Sequence, residues 1–492
     1  MKNTRLRYFL IAFMFFFGSQ IIHAQLLDNY WLMGYMTGGI RTTLDMRDTN
    51  ISISLSNRNM IMDESNSSIS DSAGNLLFYT NGIYIANSLD DTLANSRDFN
   101  PGTLTNSWIN WGFPFSQATL IIPFPEHSNL YYLFHESGEP AINSIQPMNL
   151  RYSIIDMNRN NGLGEVIEKN ISLLEDTLYA GELTAVKHAN GRDWWVITHR
   201  YQSDLYFSFL ITNDSIFGPY SQNIGSVQAY GSDGQCVFSP DGKRLARYSS
   251  TNVLDVLNFD RCSGLFYDAK TTFINDSAIC GGVCFSPDSR LLYVGSSKYV
   301  YQFNTDSSNF INQRLVVATW DGFFSPSFPA ATNFYKLHLA PNGRIYIISC
   351  NGTDYLHAII SPNAIGLSCN IIQHSIQLPS SNSVSLPNYP FYNLGAEVGS
   401  VCDSLINSFD ERIAEEIHIE VFPNPFLKTI TIQSKNQIDG MLNVYNKLGN
   451  VVFSKQISGN QNLDLAFLPS GNYVIEIIGS ENVFRKGIVK LD

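Results

Sequence analysis

Residues 187–195 gather side chains suited to recognising a sugar: two adjacent indole rings, a histidine and several charged groups. Exposed tryptophan rings can stack on the face of a sugar ring, while neighbouring polar groups bind its hydroxyls. Trp194, Trp195 and His188 are therefore candidate ligand-binding residues. The alternative is that the two rings alternate across a strand and are buried in the fold, while the polar residues form a turn. The sequence leaves both interpretations open.

A second candidate site is a calcium loop, because Asp156, Asn158, Asn160 and Glu168 offer the oxygen ligands that Ca²⁺ prefers. The spacing from Gly162 to Glu168 matches a helix–loop–helix calcium site, but Asp156 lies one residue too far from the glycine. Segments with strand character, rather than helices, flank this loop. A polar β-turn with residues that accept positive φ explains the same pattern. Calcium is therefore the minor interpretation, and no other cofactor is predicted.

The elements that would position these residues form a repeat. An apolar strand, a polar turn ending in Gly or Asn, and a second apolar strand recur at intervals of roughly fifty residues, which is typical of β-propeller blades. The repeats begin at Ser68, Ala118, Leu183, Gln235, Val283 and Leu337. Turns such as Asn190-Gly191, Asp241-Gly242 and Asn342-Gly343 supply the positive φ of a tight hairpin. The sequence therefore predicts an all-β propeller domain.

The number of blades depends on how the ring closes. Six turns are visible, and the region is long enough for a seventh blade. We predict that this blade combines residues 50–57 with a late segment near His374–Leu378. Strands from both ends would then close the ring and leave no exposed edge. Seven blades are favoured, and six are the alternative.

The last part of the chain has a different pattern. Short alternating strands are separated by turns such as Asn424-Pro425, Asp439-Gly440 and Ser470-Gly471. This pattern predicts a small antiparallel, immunoglobulin-like β-sandwich. An acidic, polar stretch precedes it and is interpreted as a linker between domains.

The first residues have the pattern of a signal peptide. A basic start is followed by an apolar run at residues 8–18, which is too short for a stable membrane anchor, and Ala24 suits a cleavage point. No later stretch is apolar over the roughly 18 residues that a membrane span needs. The predicted boundaries are 1–24 for the signal peptide, 25–400 for the propeller, 401–418 for the linker and 419–492 for the C-terminal domain.

Two resemblances to known families follow from these motifs. The tail segments VFPNPF, MLNVYNKLGN and LPSGNYVIEII resemble the type A C-terminal sorting domain of proteins exported by the Bacteroidetes type IX secretion system. The turns SPDG, SPDS and APNG resemble the WD40-like (PD40-type) repeats of secreted Bacteroidetes β-propellers. The resemblance implies a cargo that crosses the periplasm to the cell surface or the medium. The secretion machinery is then the partner of the C-terminal domain.

Six short motifs resemble the O-glycosylation acceptors of exported Bacteroidetes proteins. In each motif an Asp precedes the acceptor, and a small or aliphatic residue follows it. The candidate acceptors are Ser72, Thr92, Thr177, Ser215, Ser277 and Ser404. Three-residue motifs also arise by chance in a chain rich in Asp and Ser. Mass spectrometry of the native protein is therefore the test of each position.

Charge and cysteine content limit the partners. The 492 residues carry a formal net charge of -12 at pH 7. Cleavage of the signal peptide would remove three positively charged residues and make the net charge more negative. An acidic surface repels phosphate backbones, so nucleic acid is not a predicted partner. All seven cysteines follow the predicted signal peptide, where disulfides are permitted, and an odd number leaves at least one thiol unpaired. Cys280 and Cys284 lack a second ligand pair at zinc spacing, so a buried strand cysteine or a disulfide partner is predicted there.

Two functions are consistent with this sequence. The first is a secreted or surface-displayed propeller that binds a glycan or a protein through loops on one face, without catalysis. No G-x-S-x-G, H-E-x-x-H, P-loop or dinucleotide motif is present, and residues 187–194 lack the Ser and the Asp at their positions in the sialidase turn S-x-D-x-G-x-T-W. The alternative is a glycosidase-like or peptidase-like hydrolase whose carboxylates converge from different blades at the funnel.

Overall fold

The structure is a computed structural model of the chain, which divides into two compact units, Met1–Asn407 and Ser408–Asp492. It describes residues 26–35, 39–48, 50–139, 145–227, 233–278, 280–327, 329–403, 419–434, 439–446, 451–479 and 483–491. The predicted signal peptide and most of the predicted linker lie outside these ranges.

Within the described residues, the first unit contains seven antiparallel sheets of consecutive strands, which confirms the predicted seven-bladed propeller. We call them blades 1–7 in chain order. Blade 1 contains β1 (Tyr30–Leu32), β2 (Ile40–Asp45) and β3 (Ser52–Asn57), and blade 2 contains β4 (Ser67–Ser70), β5 (Leu76–Thr80) and β6 (Ile85–Asn87). Blade 3 contains β7 (Thr119–Pro123), β8 (Leu130–Ser137), β9 (Asn149–Asp156) and β10 (Glu165–Glu175).

The remaining blades each have four strands. Blade 4 contains β11 (Thr184–Lys187), β12 (Trp194–His199), β13 (Leu205–Ile211) and β14 (Ile216–Asn223). Blade 5 contains β15 (Gly234–Phe238), β16 (Arg244–Ser249), β17 (Val253–Asp260) and β18 (Leu265–Phe273). Blade 6 contains β19 (Gly281–Phe285), β20 (Leu291–Ser296), β21 (Tyr299–Asn304) and β22 (Leu315–Thr319), and blade 7 contains β23 (Leu337–Leu339), β24 (Ile345–Ile347), β25 (Thr353–Ile359) and β26 (Ile371–Asn382).

Helical structure is sparse in this unit. The short helix α1 (Thr103–Ser107) follows blade 2, and 3₁₀ turns occur at Asn160–Gly162, Phe310–Asn312 and Gly366–Cys369. No helix among the residues listed above as described is long and apolar enough to cross a membrane.

The inner strands define two faces of the ring. Those of blades 2 and 3 run parallel, since Ser65 Oγ donates to Phe115 O and Ser67 Oγ donates to Thr119 O. We call the side where the inner strands begin the starting face, and the side where they turn back the hairpin face. The hairpin turns have the predicted geometry, with φ of 72° at Gly191, 72° at Gly242 and 77° at Gly343.

A long C-terminal segment of the first unit, residues 384–403, follows the ring axis, and we call it the axial strap. Asn388 Nδ2 donates to Thr119 O at 2.9 Å and to Leu183 O at 3.0 Å, so one side chain joins blades 3 and 4. Tyr392 OH donates to Ile121 O at 2.7 Å. The strap therefore contributes to the interior where the inner strands converge.

The prediction that residues 50–57 and His374–Leu378 share one sheet is wrong. Ser52–Asn57 pairs with Ile40–Asp45 in blade 1, whereas His374–Leu378 lies within Ile371–Asn382 in blade 7. Each of these strands finds its partner in the neighbouring strand of its own meander. The two ends of the domain meet through the strap and through bonds from the end of β26 to blade 1, where the N–H of Tyr35 donates to Ser381 O and the N–H of Thr42 donates to Ser380 Oγ.

All seven cysteines are described, and four of them form disulfides. Cys262–Cys402 attaches the end of the strap to blade 5, and Cys280–Cys350 joins the start of blade 6 to the β24–β25 turn of blade 7. The other three are buried and free: Cys236, Cys284 and Cys369. The unpaired thiol expected from the odd count is thus present, and Cys280 and Cys284 are a disulfide partner and a buried strand cysteine.

The second unit consists of two sheets that enclose one core, which confirms the predicted sandwich. One sheet contains β27 (Ile419–Phe422), β28 (Thr429–Ser434) and β31 (Gln461–Asp464). The other contains β29 (Asp439–Tyr445), β30 (Val451–Ser458), β32 (Gly471–Gly479) and β33 (Val483–Lys490). Ile430 and Ile432 of the first sheet pack with Val444, Ile475 and Ile477 of the second.

Candidate functional site

A cleft of about 700 Å³ opens on the hairpin face between blades 2, 3 and 4, and we call it the rim cleft. The turns that follow β4, β7 and β11 form its walls. Its floor is apolar and includes Leu27, Tyr131, Trp194 and the strap residue Tyr392, all of which are buried. This volume lies within the range of roughly 300–1,000 Å³ that is usual for ligand pockets.

One aromatic ring in the wall of the cleft is held in a defined position. Phe124 is half-buried and stacks on Tyr132, with ring centroids 4.6 Å apart and an interplanar angle of 11°. The exposed His127 lies edge-on to Phe124 at 5.1 Å. A ring fixed in this way loses little conformational entropy when a ligand packs against it.

Most charges around the cleft are neutralised locally. Arg192 lies 2.7 Å from Glu126 Oε1 and 2.8 Å from Asp193 Oδ1. Asp71 accepts hydrogen bonds from the backbone N–H groups of Ala73 and Asn75 within its own turn. These charged groups therefore already have partners, and their bonds stabilise the turns that form the cleft walls.

Lys187 differs from these groups. Its Nζ lies 5.0 Å from the centroid of the Trp194 ring and donates to Gly191 O at 3.1 Å. No carboxylate of the described residues forms a salt bridge with it. Burial lowers the pKa of Lys187 to about 8, and the positive charge of Arg261 adds to this shift while Asp193 opposes it.

The predicted sugar-binding residues separate in the structure. Trp194 contributes to the cleft floor, whereas Trp195 packs between blades 4 and 5 and donates from Nε1 to Arg261 O at 2.9 Å. His188 is also buried, with Nε2 3.1 Å from Cys262 O and Nδ1 accepting from the N–H of Asn190. The role of all three residues in ligand binding stays a prediction.

The calcium candidates lie at the end of β9 and in β10. Asp156 Oδ1 accepts from the N–H of Asn158 at 2.9 Å, and Oδ2 accepts from Arg159 Nε at 3.2 Å. Asn160 has a φ of 50°, as the polar-turn interpretation expects, and Glu168 lies on β10. The carboxylate of Asp156 is thus already used by its own turn, and calcium binding stays a prediction.

Among the described residues, a single group brings three potential metal ligands within 4.8 Å of one another: His188, Cys262 and Cys402. The two sulfurs form a disulfide, and both nitrogens of the imidazole have hydrogen-bond partners. A metal would have to displace these bonds, so this group is best understood as part of the attachment of the strap.

The candidate glycosylation positions vary in accessibility. Thr177 is half-buried, and Ser404 lies outside the described residues. Four positions are exposed: Ser72, Thr92, Ser215 and Ser277. Ser72 also lines the rim cleft, so a glycan there would stand at its entrance. Modification at each position stays a prediction.

A second site lies on the ring axis at the starting face, and we call it the axial site. Lys336 Nζ is 3.0 Å from each carboxylate oxygen of Asp233 and also donates to Ser116 Oγ. The hydroxyl of Tyr335 donates to Asp233. Ser116, Asp233 and Lys336 precede the inner strands of blades 3, 5 and 7, so three blades build this cluster.

Glu64, which precedes the inner strand of blade 2, completes the axial site. Burial raises the pKa of Glu64 to about 8, and the negative charge of Asp233 adds to this while Lys336 opposes it. A buried carboxylic acid with a raised pKa is the kind of group that acid–base catalysts use as a proton donor. No local motif marks these residues. The signal that could have found them is a charged residue just before each predicted inner strand.

The channel below the axial site is nearly filled. Gln117 Nε2 donates to Cys236 O and to Asn388 Oδ1, both at 3.0 Å, which links blades 3 and 5 with the strap. Gln235 Oε1 accepts from the N–H groups of Val283 and Leu337. The remaining cavity of about 70 Å³ has room for a few water molecules but not for a sugar ring.

The C-terminal unit identifies the class of protein. Residues 420–490 match the family described as the secretion system C-terminal sorting domain. The protein is therefore a β-propeller that carries a type IX secretion sorting domain and is secreted to the cell surface or the medium. No curated protein matches this chain.

Solved structures similar to this chain share little sequence with it. A functionally unknown protein from Desulfotomaculum acetoxidans is 12% identical, with a TM-score of 0.40, and the match covers 74% of this chain and 100% of that one. The periplasmic gluconolactonase PpgL of Pseudomonas aeruginosa is 12% identical with a TM-score of 0.40, over 72% and 97% of the two chains. The β-propeller domain of Cps50 from Myceliophteria thermophila is 10% identical with a TM-score of 0.38, over 65% and 89%.

Proposed function

We propose that this protein is a secreted, non-catalytic binding module that holds a glycan in the rim cleft. The observation that carries the proposal is the shape and composition of the cleft, which has an apolar aromatic floor, a fixed ring at Phe124 and polar turns from three blades. Propellers commonly present such loops on a rigid ring. An extended protein segment is the alternative ligand.

The chemistry of the walls favours a sugar over a purely apolar ligand. Phe124 offers a hydrophobic surface for the C–H face of a sugar ring. His127, Ser128 and Asn129 follow it on the same turn and are exposed, so they offer donors and acceptors for hydroxyl groups. This combination of one stacking surface with several adjacent polar groups is what a monosaccharide unit requires.

The test is a glycan array with the chain from Gln25 onward, followed by calorimetry on the glycans that bind. Phe124→Ala should weaken binding about tenfold, which is the loss expected for a stacking contact. His127→Ala, on an exposed side chain, should weaken binding with no change in the unfolding midpoint. Phe273→Ala is the matched control, because Phe273 is an exposed phenylalanine on the outer strand of blade 5. If Phe124→Ala and His127→Ala bound the glycan as tightly as the wild type and the Phe273→Ala control, the rim cleft would be excluded as the site.

A second candidate function is hydrolysis at the axial site, and two observations favour it: the buried carboxyl of Glu64, whose raised pKa owes part of its shift to the charge of Asp233, and the bond of Asp233 to Lys336. Glu64 would donate a proton to the leaving group, and Asp233 would act as the base or nucleophile. The cavity lined by Glu64 and Lys336 is too small for a sugar ring, so a substrate would have to reach these groups from the starting face. A screen of polysaccharide and peptide substrates tests this function. Glu64→Gln preserves the shape of the side chain and should reduce any turnover at least about a hundredfold. Turnover that survives this substitution would contradict the assignment.

A further inference from the structure

The rim cleft contains a cation that its surroundings do not neutralise. The charged groups and the histidine around it come from four turns: Asp71, Glu126, His127, Arg192, Asp193 and Arg261. Two further titratable groups, Tyr131 and Tyr392, line the floor of the cleft. Arg192 is paired with Glu126 and Asp193, and Asp71 is bonded within its turn. Lys187 donates to the Gly191 carbonyl of its own turn, but no carboxylate among the described residues forms a salt bridge with it, so its positive charge is the one that an anionic ligand could pair with.

The Lys187 amine is held in place before any ligand arrives. The face of Trp194 and the carbonyl of Gly191 fix its position. An ammonium group has three N–H donors, and the Gly191 carbonyl uses one of them. The remaining donors are in a partly dehydrated setting, where an ion pair is stronger than in bulk water.

We propose that Lys187 is an anion-binding subsite of the rim cleft and that the ligand is an acidic glycan. The glycan would place a carboxylate or a sulfate ester on the Lys187 amine while a sugar ring packs against Phe124. This inference rests on the proposed function and names the ligand class. The chain has a formal net charge of -12 and repels anions at long range, so recognition depends on this local contact.

The experiment uses calorimetry with three oligosaccharides of equal length: an oligogalacturonate, its neutral methyl ester and a sulfated counterpart. The wild-type protein should bind at least one acidic form about ten to a hundred times more tightly than the neutral form. The acidic ligand that binds more tightly shows whether the subsite prefers a carboxylate or a sulfate ester. Lys187→Met should remove this preference, whereas Lys187→Arg should retain it.

Lys298→Met is the matched control, because Lys298 also lies over an aromatic ring, at 5.3 Å from Tyr299, but belongs to the β20–β21 turn. It should leave all affinities unchanged. Affinity for the acidic ligand should fall as the pH rises from 7 to 9, because the amine loses its proton near pH 8. Lys187→Arg should remove that dependence.

The outcomes separate the two proposals. Equal binding of acidic and neutral oligosaccharides by the wild type, or unchanged acidic binding by Lys187→Met, would overturn the acidic-ligand inference and leave the glycan cleft intact. Failure of every oligosaccharide and of the glycan array to bind would overturn the glycan-binding function, and the subsite with it.

Discussion

The hydroxyl of Tyr389 donates a hydrogen bond to the backbone carbonyl of Tyr30, 2.6 Å away and 359 positions earlier in the chain. Tyr389 belongs to the axial strap and Tyr30 begins β1. The same hydroxyl is also bonded to Ser68 in blade 2. The first and last segments of the propeller are therefore joined on its axis.

Asn388→Ala should destabilise the propeller by about 3 kcal/mol. The substitution leaves the buried carbonyls of Thr119 and Leu183 and the amide of Gln117 without this partner, and unsatisfied buried groups are costly. Chemical unfolding followed by tryptophan fluorescence measures the change. Asn275→Ala, at an exposed asparagine, is the control and should alter stability by less than about 0.5 kcal/mol.

Cys402→Ser should release the end of the strap as well as lower stability. The disulfide closes a loop across 140 positions, for which chain entropy predicts a loss of about 5 kcal/mol. Limited proteolysis should then cut within residues 384–403. Cys350→Ser opens the other disulfide, which spans 70 positions, and should leave the strap protected. Identical cleavage patterns for the two variants would show that the bond to Cys262 does not hold the strap.

Glu64→Gln should stabilise the propeller increasingly as the pH rises from 5 to 8. The native pKa of Glu64, about 8, lies above the ordinary value of 4.5 because the group is buried. The native state therefore retains a proton that the unfolded state releases in this window, and the wild type loses stability as the pH rises through it. Unfolding midpoints across this range test the prediction. Glu175→Gln changes an exposed carboxylate, so its unfolding midpoint should depend on pH in the same way as that of the wild type. If the midpoint of Glu64→Gln also followed the wild type across this range, the burial of an acid at position 64 would be refuted.

Deletion of residues 419–492 should leave a folded propeller that is retained in the periplasm. The sorting domain has its own core, and the strap that completes the ring ends before it. Cell fractionation locates the truncated protein, and thermal unfolding shows whether its propeller transition is preserved. Efficient secretion of this truncation would contradict a sorting role for the tail. A deletion that begins at residue 384 should instead prevent folding.

The blades could be predicted because the information for each one is local. Turns such as Asp241-Gly242 set a positive φ, and the strands beside them alternate apolar and polar residues. The same alternation anticipated one of the two interpretations of Trp194 and Trp195, which point to opposite sides of β12. Hairpins form between neighbouring segments, so their pattern is visible without knowledge of the rest of the chain.

The strap and the axial site could not be predicted in this way. Residues 386–390 (LPNYP) contain two prolines and no strand periodicity, and their position depends on bonds to residues hundreds of positions earlier. Glu64, Asp233 and Lys336 are far apart in the sequence. They meet because inner strands converge on the axis, which is a property of the whole ring.

The bond between Cys262 and Cys402 also determines how the propeller bears tension. Pulling on the chain beyond residue 403 transmits force through a covalent bridge to the β17–β18 turn of blade 5. The hydrogen bonds of Asn388, Tyr389 and Tyr392 lie behind that bridge and are shielded from the load. A tether at the C-terminus can thus hold the protein against flow without drawing the strap out of the ring.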